Sequence, residues 1–208
     1  MRRAVARRAI DAVVFDLGNV LVRWDPYAPF AGRMDPTEVE RFFVEVDFAS
    51  FNHEQDRGRS WAEARAWLAG RLPHHLPALD LYVSHFADSL RGPVPGSDGV
   101  VRDVRAAGVR VLGLTNWSAE TFGHAATAAP AIGLLEDVLV SGQVGIAKPD
   151  PKIFALLTAR FDLDPQRTVF TDDSRINVEA ACAAGYVGLR FDDADGLRRD
   201  LRDREVIR

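Results

Sequence analysis

The sequence predicts an α/β protein, a doubly wound parallel sheet carrying a small inserted helical subdomain. Three observations predict it. Short apolar runs alternate with helical patterns along most of the 208 residues, the signature of parallel strands joined by crossover helices. The alternation stops between about Trp24 and Gly92, where amphipathic helical pieces punctuated by proline and glycine follow one another. Unusual polar residues stand directly after several apolar runs, where ligands bind in open parallel sheets.

The strands expected are "AVVF" (12–15), "VRVLGL" (109–114), "DVLVS" (137–141), "TVFT" (168–171) and "VGLRF" (187–191). In the insertion, Asp35, Pro36 and Glu38 start a helix over 36–47, and Ser60 with Glu63 forms a capping box for 60–70. A third helix is expected over about 76–90, with "RGPVPG" (91–96) as the return hinge and no strand between Trp24 and Gly92. Ser97 is placed to cap 98–107 and Gly108 to stop it; Ser118 precedes a helix with Glu120 in its first turn. Asp150 and Pro151 read as N-cap and first helical residue of a helix to about Arg160. "SRINVEAACAAG" is a helix ended by Gly185, and the closing "LRRDLRDREVIR" reads as a solvated mixed-charge helix. The division is therefore 9–24 with 93–208 as the α/β core, 25–92 as the insertion, and 1–8 as a flexible tail. Phe42, Phe43, Trp61, Trp67 and Phe86 fall on helical faces and are expected to form the insertion's own core.

A chain of this length that is 47% hydrophobic can bury a real core as one domain, or as one domain carrying an insertion. No run approaches the roughly 18 apolar residues of a membrane span, and "MRRAVARRAI" has no apolar signal core. A cytoplasmic location is the expectation. The single Cys182 excludes an internal disulfide and, within "NVEAACAAG", reads as a buried small residue. The net charge of −4 becomes about −8 without Arg2, Arg3, Arg7 and Arg8, the opposite of a nucleic-acid footprint. Any phosphate bound is therefore small.

Four polar signals lie at expected strand ends or beside a helix start: Asp16, Thr115 with Asn116, Lys148 in "GIAKPDP", and Asp172 with Asp173. Together they suit phosphoryl transfer. A carboxylate attacks phosphorus to form an aspartyl phosphate, splitting one hard hydrolysis into two displacements. A lysine, a hydroxyl and main-chain N–H groups match the charge on the equatorial oxygens. Magnesium between the attacking carboxylate and the phosphate quenches their repulsion.

The ordered set "VVFDLGNVLV", "LGLTNWS", "GIAKPDPKIF" and "VFTDDSRIN" resembles the four motifs of the haloacid dehalogenase-like (HAD) hydrolases, in a phosphatase-type form with a DLGN first motif. The resemblance covers nearly all of the chain beyond its tail. It implies a Rossmann-like core with a helical cap over 25–92, Asp16 as nucleophile, and phosphate bound by Thr115, Asn116 and Lys148. It implies magnesium held by Asp16, the Gly18 carbonyl, Asp173 and Asp172, with Asn177 behind them, and a small phosphorylated metabolite, such as a sugar phosphate, as substrate. It also exposes a departure at Gly18, where most family phosphatases carry an aspartate that protonates the leaving alcohol. Either the substrate has an easy leaving group, or the cap supplies the acid from His53, Glu54 or Asp56, or catalysis is weak. Trp24 and Trp117, each beside a motif, are expected to wall the pocket or to pack. Two other readings are a 2-haloacid dehalogenase and a phosphate-binding module without turnover. The first is disfavoured because that reaction needs no magnesium and its enzymes carry a bulky aromatic where Gly18 stands and fewer acids in the fourth motif.

Overall fold

The computed structural model describes residues 10–208, and the tail expected over 1–8 lies outside the described residues. The strands are β1 Ala12–Phe15, β2 Val22–Trp24, β3 Leu90–Pro93, β4 Arg110–Thr115, β5 Val138–Val140, β6 Thr168–Asp172 and β7 Val187–Arg190. The helices of nine residues or more are α1 Pro36–Glu45, α2 Phe48–Asp56, α3 Trp61–Ala69, α4 Leu76–Ser84, α5 Ser97–Ala106, α6 Pro151–Phe161, α7 Arg175–Ala183 and α8 Ala194–Asp203. Five strands form one parallel sheet in the order β5-β4-β1-β6-β7. From β1 the chain builds outward to β4 and β5, then crosses back to add β6 and β7 on the other side. The strand order therefore reverses around β1, where a parallel sheet opens its binding crevice.

Strand alternation explains the two layers that cover the sheet. Val13 and Phe15 pack with Val100, Val104, Leu197 and Leu201 from α5 and α8. Val14 points the other way, into a cluster with Leu112, Leu114, Phe170 and the α6 residues Ile153, Phe154 and Leu157. Full burial of each such side chain stabilises the fold by about 1.5–3 kcal/mol before entropy is counted.

Several local expectations are corrected. Between Trp24 and Gly92 no strand was expected, yet β2 and β3 pair antiparallel as a short ribbon whose register is irregular between Val22 and Trp24. Strands of three and four residues are too short to show a period. Helix α2 was not expected as a separate element; Asp47, left-handed at φ 48°, breaks it from α1. Helix α4 stops at Ser84 and a 3-10 turn covers Phe86–Ser89. Gly96, not Ser97, caps α5, because the Ser97 hydroxyl donates to the Val20 carbonyl at 2.6 Å. No full helix follows Ser118, only a 3-10 turn over Phe122–His124 and the four-residue helix Ala125–Ala128. The closing helix α8 is not simply solvated, since Leu197 and Leu201 are buried along with Val206 and Ile207 beyond it. Cys182 is exposed.

Between the ribbon strands the chain is helical, with Phe30, Phe42, Phe48 and Tyr82 packed ring against ring. The expected caps are present: Asp35 accepts from Thr37 N–H, and Ser60 and Glu63 form the capping box. Two contacts fasten this helical layer to the sheet. Glu120 accepts from the Trp61 N–H at 2.9 Å, at the start of α3. Gly58, at φ +98°, lies so close that a Cβ there would sit 3.3 Å from the Gly142 carbonyl oxygen and 3.5 Å from the Gly145 Cα. Gly142 itself has no room for a side chain, as its Cβ would fall 2.6 Å from the Trp117 carbonyl oxygen. Among the described residues no helix is long and apolar enough to cross a membrane.

Candidate active site

The sheet register brings the polar signals level. Phe15 at the end of β1 lies beside Gly113 of β4 and Thr171 of β6. One residue further on, Asp16, Leu114 and Asp172 meet at the carboxyl edge. Lys148 enters from the loop before α6 and is 2% exposed. Its ammonium donates to Asp16 Oδ1 at 2.8 Å, to Asp172 Oδ2 at 2.7 Å and to the Leu114 carbonyl at 3.0 Å. All three ammonium hydrogens are therefore used. Asp172, fully buried, also accepts from Asn177 Nδ2 at 3.1 Å on each oxygen and from the Ser174 N–H at 2.8 Å.

The Asn116 side chain is engaged by the lysine loop. It pairs with the main chain of Lys148 in both directions, donating to its carbonyl at 2.9 Å and accepting from its N–H at 2.8 Å. That clamp fixes the lysine loop against the end of β4. Thr115, buried, stands one residue earlier.

Asp16, Asp172 and Asp173 each present an oxygen within 4.8 Å of the others. Three carboxylates against one ammonium leave excess negative charge, and the titration behaviour reflects it. Burial, with the Asp172 and Asp173 carboxylates adding, raises the Asp16 carboxyl from 3.8 to about 7 although Lys148 opposes. Burial also raises Asp173, seconded by Asp172 and opposed by Lys148 and Asn19. For Lys148, burial pulls the ammonium down, but Asp16 and Asp172 together hold it above its ordinary value. An all-oxygen donor set with uncompensated negative charge fits a hard divalent cation such as Mg²⁺.

Beside this edge lies a cavity of about 100 Å³. Gly18, Asn116, Trp117, Ser118 and Thr121 line it from the sheet side, and Trp24 from the ribbon; Asn52, Asp56, Trp61, Tyr82 and Phe86 line it from the helical layer. Both tryptophans expected near the pocket are there. The Trp117 indole is oriented by its Nε1–H, which donates to Thr121 Oγ1 at 3.1 Å, and its main-chain N–H is held by Ser141 Oγ at 3.0 Å. Of the three acids and bases expected from "FNHEQD", Asp56 lines the cavity while His53 and Glu54 do not. Trp61 and Phe86, assigned by periodicity to packing alone, also line it. Tyr82 and Asn52 carry no sequence signal, because which face of α2 or α4 looks into a pocket is decided by how the helices dock.

The Asp56 side chain makes no hydrogen bond or ion pair with a described residue. Burial raises its carboxyl from 3.8 to about 7, with Asp16 adding and Lys148 opposing. Two carboxyls raised this far bind protons in the folded state that the unfolded chain has released between about pH 4 and 7. Stability from this source is thus lost as pH rises through that window. Asp35, Glu45 and Glu63, held low by hydrogen bonds, act in the opposite sense but only at more acidic pH. In EDTA the thermal midpoint is expected to drop by at least about 5 °C from pH 5 to pH 8, and magnesium to restore it at pH 8. A midpoint flat across that range by calorimetry contradicts the assignment.

Comparison with known proteins supplies the relationship. A family description, haloacid dehalogenase-like hydrolase, matches residues 10–185. A sesquiterpene phosphatase of Aspergillus oryzae is 27% identical over 199 residues, covering 92% of this chain and 94% of that one. A phosphoglycolate phosphatase of Pseudomonas putida is 29% identical over 207 residues, covering 94% and 75%. Among solved structures, a HAD family enzyme of Bacteroides thetaiotaomicron, in complex with magnesium and inorganic phosphate, superposes with a TM-score of 0.67 at 21% identity, over 88% of this chain and 93% of that one. That likeness shows the shared five-stranded α/β fold, and the family match spans most of the described residues. On this ground the chain belongs to the haloacid dehalogenase-like hydrolases.

Proposed function

We propose that the protein is a magnesium-dependent phosphomonoesterase working through a phosphoryl group carried on Asp16. The observation that supports this best is the buried Lys148 ammonium bridging Asp16 and Asp172, with Asp173 completing a cluster of three carboxylates. Asp16, Asp172, Asp173 and the Gly18 carbonyl would hold the metal. Bound there, magnesium supplies charge neutralisation that lets a carboxylate approach a phosphate. The residues do the rest. Asp16 offers an oxygen for in-line attack; Thr115 and Lys148 face the charge that gathers on the transferring group; Asn116 and Asn177 hold Lys148 and Asp172 in place.

The cavity narrows the substrate. Among the described residues its lining has five aromatic side chains and no lysine, arginine or histidine, so none of them offers a counter-charge to a second anionic group on the substrate. One buried donor of that lining, Trp61 Nε1–H, has no partner among the described residues. Such groups are normally satisfied. The reading is a small, uncharged, largely apolar alcohol carrying one acceptor oxygen. The Aspergillus relative's name, a sesquiterpene phosphatase, points the same way, toward an apolar substrate. Five aromatic rings in the lining favour an apolar body on the substrate over the all-polar body of a sugar phosphate.

The test is phosphate release from aryl and short alkyl phosphates, set against sugar phosphates and nucleotides, with magnesium and with EDTA. Expected is metal-dependent release, with kcat/KM at least about tenfold higher for the uncharged, apolar esters, a preference of about 1.4 kcal/mol. Phosphate binding without turnover, or metal-free halide release from 2-chloropropionate, overturns the proposal.

A further inference from the structure

A primary alcohol is a poor leaving group, and an enzyme that cleaves its phosphate ester places a proton donor at the departing oxygen. No side chain at position 18 does so here. A Cβ built on Gly18 meets nothing within 4 Å, so the space beside the Asp16 loop is open rather than filled by packing. Asp56 lines the same cavity as Gly18, reaching it from the far end of α2. Apart from Asp56, the only titratable side chain in that lining among the described residues is Tyr82, and burial pushes its phenol above the ordinary value. Such a phenol neither gives up a proton readily near neutral pH nor returns to take one. Among the described residues Asp56 is the one carboxyl in that lining and its side chain has no hydrogen-bond partner, and burial raises it, with Asp16 adding and Lys148 opposing.

We propose that Asp56, borne by the helical layer, is the proton donor and acceptor of the reaction, in the place that Gly18 leaves vacant. This rests on the phosphomonoesterase reading above. In the first displacement an Asp16 oxygen bonds to phosphorus and the ester P–O bond breaks. The Asp56 carboxyl proton passes to the departing oxygen, giving the free alcohol and the Asp56 carboxylate. In the second, that carboxylate takes a proton from water as the water oxygen bonds to phosphorus. The Asp16–phosphorus bond breaks, inorganic phosphate is released, Asp16 returns as carboxylate and Asp56 is again protonated. A donor working near its own pKa is efficient in both directions.

Rapid-quench kinetics with magnesium test this, comparing wild type, Asp56→Asn, and Asp56→Asn combined with Gly18→Asp. Two substrates are used, p-nitrophenyl phosphate, whose leaving group needs no proton, and benzyl phosphate, whose alcohol does. In Asp56→Asn the first turnover of benzyl phosphate is expected to slow by about 10²–10³-fold. The same variant still gives a burst of nitrophenolate, slowed less than tenfold, followed by slow release of phosphate because water attack has lost its base. That burst also shows the variant folded with Asp16 competent. The open space at Gly18 admits a carboxylate, so the double variant is expected to recover benzyl phosphate cleavage at least tenfold. Equal loss with both substrates, or no loss with benzyl phosphate, overturns the role of Asp56 while leaving Asp16 chemistry standing. If wild type forms no phosphoenzyme from either ester, the phosphomonoesterase reading itself falls.

Discussion

Asp16→Asn is expected to reduce phosphate release by about 10⁴-fold or more, the scale of loss when a covalent nucleophile is removed, and to leave the protein folded. An amide oxygen sits where the carboxylate oxygen now accepts from Lys148 at 2.8 Å, so the geometry survives, but an amide does not capture a phosphoryl group. The variant is also expected to be as stable as wild type in EDTA at pH 8, or more so. Burial and the neighbouring carboxylates disfavour a charge on Asp16, and the substitution removes it. Acid-quenched wild type incubated with substrate is expected to show a phosphorylated peptide containing Asp16 by mass spectrometry, absent from the variant. Turnover at the wild-type rate in Asp16→Asn defeats the covalent scheme.

Lys148→Met is expected to cost about 3–5 kcal/mol of stability at pH 8, as breaking a buried ion pair from one side does. Methionine fills most of the volume but leaves Asp16 and Asp172 facing each other with no cation between them. The loss is expected to shrink at pH 5, where the Asp16 carboxyl takes up a proton. Urea unfolding at the two pH values, in EDTA, measures both numbers. Wild-type stability at both shows that Lys148 is not the counter-charge described here. Phosphate release is expected to vanish with it.

Much of the site was legible in the chain because it depends on strands. Apolar runs announce where β1, β4 and β6 end, so Asp16, Thr115 and Asp172 with Asp173 could be placed at one edge before any coordinates. Lys148 followed from its position ahead of the Asp150–Pro151 helix start. The other half of the pocket was not legible. Trp61, Tyr82 and Phe86 look like core residues on amphipathic helices, and they are; that the same rings also wall a cavity depends on the angle at which four helices settle on the sheet. The loop role of Asn116 was hidden for a related reason: a polar residue at a strand end has both a ligand and a loop to satisfy, and its two bonds to the Lys148 main chain depend on a residue 32 positions away. The β2–β3 ribbon escaped notice because its pairing partners lie far apart in sequence and each is too short to carry a pattern.

The seam where Gly58 lies against Gly142 and Gly145 stands two residues from Asp56. With Asp56 in the role assigned to it, the nucleophile belongs to one slab of the molecule and the proton carrier to the other. Any change in the spacing of the two slabs would draw the proton carrier away from the nucleophile, so the close glycine approach at this seam sets the separation on which both displacements depend.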